Sequence, residues 1–168
     1  MGAEVFDRVK SRLAAGEEEE SSAGAPGSPT TVSHGSLVVN LAPAAVEPAA
    51  RALKSELGFD ILLDVTAVDW PGQEPRFEVV WHFYSTKDKV RVRVKARVSE
   101  SNPAVASLTP LYGSAAFLER ECHDMFGIVF TGNADLRPIL LYEGFVGHPL
   151  RKDYPKEREQ PIVPYRVR

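Results

Sequence analysis

The chain has 168 residues, 43% apolar and 26% charged, with a formal net charge of −3. That length and balance suit one globular domain with a real core, and exclude a disordered or collagen-like chain. The net charge excludes a general nucleic-acid footprint, and the single cysteine, Cys122, excludes an internal disulfide or a cluster held by this chain's cysteines alone.

The N-terminus, MGAEVFDRVK, lacks a basic-then-apolar leader, and Phe6 stands where N-myristoylation needs Ser or Thr. No apolar run approaches the ~20 residues of a spanning helix. A soluble or peripherally attached protein is expected. Within residues 1–15, apolar positions 5, 6, 9 and 13 predict a short helix that must pack on something to persist. Residues 16–33, with the run Glu17 to Glu20 and then SSAGAPGSP, read as a flexible linker.

A domain is expected over 34–130. SLVVNL, 36–41, is a strand ended by Pro43. Residues 44–57 read as a helix with Val46, Leu53 and Leu57 on one face. Pro48 belongs in its first turn, which places the start near Glu47, and Gly58 stops it. Three strands follow, over 59–70, 76–85 and 89–98. The last alternates Val90, Val92, Val94, Ala96 and Val98 against Arg91, Arg93, Lys95 and Arg97, so one face is buried and one is solvated. Short turns between the last two strands make an antiparallel hairpin. Residues 103–109 read as a helical turn or loop. Residues 114–126 read as a second main helix with Ala115, Leu118, Cys122, Met125 and Phe126 as its buried stripe. The expected fold is α+β in two layers: one mixed or antiparallel sheet, helices on one face, and an extended C-terminal tail. That tail, 131–168, is broken by Gly and Pro yet rich in Leu, Ile, Phe and Tyr, and ends basic. An ordered docking segment is expected there.

The densest chemistry lies at Glu119-Arg120-Glu121-Cys122-His123-Asp124. On a helix, Glu119 faces His123 and Arg120 faces Asp124, four residues apart. A solvated face accounts for such charge. Burial against another surface accounts for its density beside an apolar stripe. Consecutive residues diverge by about 100° on a helix, so Cys122, His123 and Asp124 do not converge on one ion. Glu119 and Glu121, two apart, do not form a catalytic dyad. Cys122 as a nucleophile with His82 or His148 as base is a further option, against the plainer reading of Cys122 as a small buried hydrophobe. No phosphate-binding glycine loop occurs.

ERECHDMFGIVF, NADLRPILL and YEGFVGHPLRKDYP together resemble the signature of the C subunit, or 30 kDa subunit, of the proton-pumping NADH:quinone oxidoreductase, respiratory complex I. The matching positions are Glu119, Arg120, Glu121, Asp124, Met125, Phe126, Gly127, Asp135, Leu136, Arg137, Ile139, Leu140, Gly144, Phe145, Gly147, His148, Pro149, Leu150, Arg151, Lys152 and Asp153. The chain departs from the family pattern at His123, Asn133 and Pro138. The resemblance covers about 36–155.

It implies a non-catalytic structural and assembly subunit of a peripheral arm, in an enzyme that passes electrons from NADH to quinone and translocates protons. It implies no cofactor or metal in this chain, with FMN and iron–sulfur clusters in partner subunits. The implied partners are the quinone-site D subunit and the cluster-bearing B subunit, at the cytoplasmic face of the inner membrane in a bacterium. Glu119, Arg120, Glu121, Asp124, Arg137, Arg151 and Lys152 are implied as buried or interfacial ion-pairing residues. Phe126, Leu136, Phe145 and Tyr154 are implied as apolar anchors, and Gly127, Asp135, His148, Pro149, Leu150 and Asp153 complete the structural signature. The alternative within the superfamily is the equivalent subunit of an F420H2 dehydrogenase, a ferredoxin-linked complex or an energy-converting hydrogenase. The alternative outside it is a free-standing Cys/His hydrolase.

Overall fold

A computed structural model of the chain describes residues 2–14, 30–155 and 157. The elements in order are α1 (Gly2–Ala14), β1 (Thr30–Ser33), β2 (Ser36–Leu41), a 3-10 turn (Pro43–Ala45), α2 (Val46–Ser55), β3 (Ile61–Asp69), β4 (Phe77–Ser85), β5 (Val90–Val98), β6 (Ala104–Ala106), α3 (Ala115–Phe126) and β7 (Val129–Thr131). β1 to β5 form one mixed sheet in the order β1-β2-β5-β4-β3, with β2 and β5 parallel and the other neighbours antiparallel. The fold is the expected α+β one.

Alternation along the strands decides the layers. On β4, Phe77, Val79, Trp81 and Phe83 are fully buried, and β5 adds Val92, Val94, Ala96 and Val98 to the same face. That face forms one core with Val5, Val9 and Leu13 of α1, with Val46, Ala50 and Leu53 of α2, and with Ala115, Cys122 and Phe126 of α3. The other face carries Glu78, His82 and Tyr84 of β4 and the four cations of β5. α1 is held in place by its apolar stripe and by Arg12, whose guanidinium donates to both Glu56 carboxylate oxygens at the end of α2.

Three expectations change. Thr30–Ser33, inside the stretch read as linker 16–33, is a strand that pairs antiparallel with β2 through the turn at His34-Gly35. Residues 15–29, including Glu17 to Glu20, lie outside the described residues. The helix expected over 44–57 is a 3-10 turn followed by α2, because Pro43 opens the turn and Pro48 falls within the first turn of α2, where its missing N–H costs nothing. Ala104–Ala106, expected as a helical turn or loop, is β6. It pairs parallel with β7, just past α3, in a separate two-stranded sheet. Three residues carry too little periodicity to announce a strand, and only the tertiary partner makes it one.

Candidate functional site

The residues that carry the signature converge where α3 ends and the chain turns back across it. α3 stops at Gly127, which takes φ +76°, the left-handed cap that glycine adopts without strain. A helix end leaves four carbonyls without intrahelical partners. Gly127 N–H closes the last helical turn on His123 O at 2.7 Å, and the chain's own later residues take the next three: His148 Nδ1 donates to Asp124 O at 2.9 Å, Leu150 N–H to Met125 O at 3.1 Å, and Arg151 Nε to Phe126 O at 2.6 Å. A carbonyl only accepts, so His148 carries its proton on Nδ1. The same holds for His123, whose Nδ1 donates to Ile128 O at 2.8 Å.

The side chains of α3 reach the other way. Asp124 Oδ2 accepts the backbone N–H groups of Ile139, Leu140 and Leu141 at 2.7, 3.0 and 3.3 Å. Burial works against the Asp124 charge, but the three donors together outweigh it and hold the carboxyl below the usual carboxylate range. Arg120 donates from Nε to Arg137 O and from Nη2 to Pro138 O, both at 2.9 Å, with Asp135 at 3.9 Å. Glu119, fully buried, accepts from Leu108 N–H and Ser107 Oγ at 2.7 Å and from Asn133 Nδ2 at 2.9 Å. Burial raises the Glu119 carboxyl, and its three donors offset only part of that.

A second cluster pins the end of the tail. Asp69 closes β3, and Arg76 stands just before β4. Arg76 forks onto both Asp69 oxygens at 2.8 Å, and its Nη1 also reaches Glu100 at 2.7 Å and Asp153 at 3.0 Å. Asp69 further accepts Lys152 N–H at 2.7 Å. The Arg76 fork, against the opposing effect of burial, holds Asp69 below the carboxylate range. The guanidinium groups of Arg76 and Arg151 both lie over the Phe77 ring, 5.0 and 4.8 Å from its centre. Between the two clusters, Tyr142, Phe145 and Tyr154 pack ring to ring at 5.4 and 6.1 Å.

Several expected roles are therefore reassigned. The pairs Glu119–His123 and Arg120–Asp124 do not form. Each of these side chains instead serves a loop, strand or tail group of the same chain, because Glu119 lies on the buried stripe with Ala115, Cys122 and Phe126, and Asp124 is buried as well. Leu118 and Met125, expected in that stripe, are half-buried. Phe126 lies in the core and Leu136 packs against it, so neither is a free anchor. Phe145 and Tyr154 are half-buried in the ring cluster. Glu121 and Lys152 are exposed; Arg137 is exposed too and pairs with its neighbour Asp135 at 2.9 Å. Pro149 is half-buried in the turn that presents Leu150. The most exposed large apolar side chains of this stretch are Phe117, Leu140, Val146 and Leu150, at 61%, 62%, 57% and 51% exposure.

Sequence reasoning missed Asp69, Arg76 and Glu100. The only signal was an acid and an arginine bracketing the Trp70–Pro75 turn, as a hairpin base does. Cys122 is buried in the helix–sheet core, and burial, with the negative charge of Asp64, Glu119 and Glu121, pushes its thiol up and away from thiolate. A Cys122 nucleophile is not supported. Among the described residues no three His, Cys, Asp or Glu side chains are grouped to hold a metal ion, and no helix is long and apolar enough to cross a membrane.

Residues 39–160 match the family described as respiratory-chain NADH dehydrogenase, 30 Kd subunit. The NADH-quinone oxidoreductase C subunit of Citrifermentans bemidjiense is 50% identical over 105 residues, 62% of this chain and 65% of that one. The NADH-quinone oxidoreductase C/D subunit of Bdellovibrio bacteriovorus is 46% identical over 114 residues, 67% of this chain and 20% of that one. The solved trypsin-resistant fragment of Nqo5 superposes with a TM-score of 0.66 at 32% identity, covering 79% of this chain and 99% of the fragment. The chain spans slightly less than two thirds of the length of the C-subunit relatives it matches.

Proposed function

The chain belongs to the 30 kDa subunit family of respiratory-chain NADH dehydrogenase, and on that premise we propose that it is a structural subunit whose tail face docks the peripheral arm of a membrane-bound NADH:quinone oxidoreductase. The observation that carries this is where the signature side chains are spent. Arg120, Asp124, His148 and Arg151 bond backbone groups of their own chain. They build a tail of fixed shape, and that shape presents Leu140, Val146 and Leu150 to a neighbour. Exposed apolar side chains on an ordered segment are what an interface uses for its centre.

In this reading the chain holds no flavin, cluster or active site of its own, and FMN and iron–sulfur clusters reside in partners. The partners are the quinone-site D subunit and the cluster-bearing B subunit, at the cytoplasmic side of the inner membrane in a bacterium. A relative whose name joins C and D in one chain supports adjacency to the D subunit. The test is recovery of the tagged chain from solubilised membranes. The other peripheral-arm subunits are expected to co-purify with it. A chain extracted from membranes without them overturns the proposal.

A further inference from the structure

The tail face is one side of the domain, and the solvent face of the sheet is another. Along β5, Arg91, Arg93, Lys95 and Arg97 all point away from the core. Alternate residues of a strand stand about 6.8 Å apart, so they form one row on a flat surface. β5 is the middle strand of the sheet, so the row runs down its centre. Only Lys95 has a carboxylate within ion-pair reach among the described residues: Glu78 at 2.8 Å. Arg97 donates to the neutral Gln73 at 2.9 Å, and Arg91 lies over the Tyr84 ring at 6.0 Å. The Nε atoms of Arg93 and Arg97 are buried against the sheet, so these side chains lie packed onto it rather than extended into solvent.

We propose that this face is a second docking surface, and that its occupant is the acidic surface of a neighbouring protein subunit. Charge complementarity decides the occupant. Three arginines without carboxylate partners among the described residues, two of them packed onto the sheet, present forks that match carboxylates in both charge and geometry. They stand out in a chain whose net charge is −3. Glu78 and Asp64 share the face, in register with Arg97 and Arg93 across β4. The face therefore mixes four cations with two carboxylates, and a mostly acidic protein surface, whose carboxylates meet the arginines and whose few bases meet Glu78 and Asp64, complements that pattern better than the uniform negative charge of a membrane or nucleic acid. The surface is distinct from the tail face, so the chain would bridge two neighbours.

The test compares arginine labelling by phenylglyoxal in the chain alone and in the membrane-purified complex. Labelling of Arg93 and Arg97 is expected in the free chain and lost in the complex. In an Arg93→Lys chain, carbodiimide should join the introduced amine to an Asp or Glu of another subunit, identified by mass spectrometry. Equal labelling in both states overturns the proposal. So does protection that disappears when anionic lipid is stripped with detergent, which would mark a membrane contact. This proposal rests on the tail reading for the existence of the complex: failure to recover it overturns that reading, whereas a recovered complex with unprotected Arg93 and Arg97 overturns this proposal alone.

Discussion

Asp124→Ala is the sharpest test of the clasp by which α3 holds the tail of its own chain through Arg120, Asp124, His148 and Arg151. One carboxylate oxygen accepts three consecutive tail N–H groups, two of them at 2.7 and 3.0 Å and the third longer at 3.3 Å. A hydrogen bond to a charged acceptor contributes about 1.5–3 kcal/mol. The amides sit on an exposed stretch where water can replace the carboxylate, so the low end applies and the long bond adds little. The two short bonds then hold residues 139–141 down by about 3 kcal/mol, or roughly a 100-fold difference between closed and open tail. Alanine is a strong helix former, so α3 itself is not penalised. Hydrogen exchange followed by mass spectrometry should show amides 139–141 exchanging about 100-fold faster in the variant, with the β4 and β5 amides unchanged. The pH dependence follows from the depressed carboxyl. Its contribution is complete above the unfolded value of about 3.9 and drains away as pH falls through the lower folded value. After correction for intrinsic exchange, wild-type protection at 139–141 should decline in acid while that of Asp124→Ala stays flat. Unchanged exchange in the variant, or an equal loss across the whole sheet, would refute the reasoning.

Arg76→Ala leaves the fully buried Asp69 carboxylate without its fork and removes one partner each from Glu100 and Asp153; breaking such a buried pair costs about 3–5 kcal/mol, read as a lower urea midpoint at unchanged m-value. Arg76→Lys should recover only part of this, because a point charge cannot match the fork, and full recovery would argue against it. Gly127→Ala forces a side chain into the left-handed region, at about 1–2 kcal/mol. It also places Cβ 2.5 Å from His148 Nε2 and 2.6 Å from Arg151 Nη2. Faster exchange at Leu150 is expected, and normal protection there would contradict the clasp.

The sheet was legible because its strands alternate. Lys89 to Val98 states its own inside and outside, and β4 and β5 fall within a residue of the expected ends. The α3 boundary was legible for the same kind of reason, since Gly127 is the stop a left-handed cap needs. What the pattern concealed was the role of Glu119. It lies at the helical spacing of Ala115, Cys122 and Phe126, and its charge made a solvated face the natural expectation. Only the fold shows that Ser107, Leu108 and Asn133 converge to receive it. The tail was harder still. Its hydrogen bonds go to backbone and side-chain groups of α3 and to Asp69, more than eighty residues earlier, and no local period encodes such partners.

The placement of those partners bears on how a docking tail works. Fixing one residue's backbone costs about 1–2 kcal/mol. A tail of some twenty residues, disordered until it met its neighbour, would subtract about 20 kcal/mol or more from the interaction. That cost comes out of the gross interaction energy, so a tail ordered only on contact binds more weakly for the same contacts than one already in place. The clasp moves the ordering into folding of the domain. Asp124, Arg120, His148 and Arg151 fix the tail on α3, and Arg76 fixes its end on the hairpin base. The neighbour then meets a preformed surface and loses little to ordering. It follows that variants of the clasp and variants of the exposed anchors must fail differently. Asp124→Ala weakens docking by letting the tail open, whereas Leu140→Ser weakens it with tail protection intact. If the two raise exchange at 139–141 equally, the tail is ordered by its neighbour and not by the clasp.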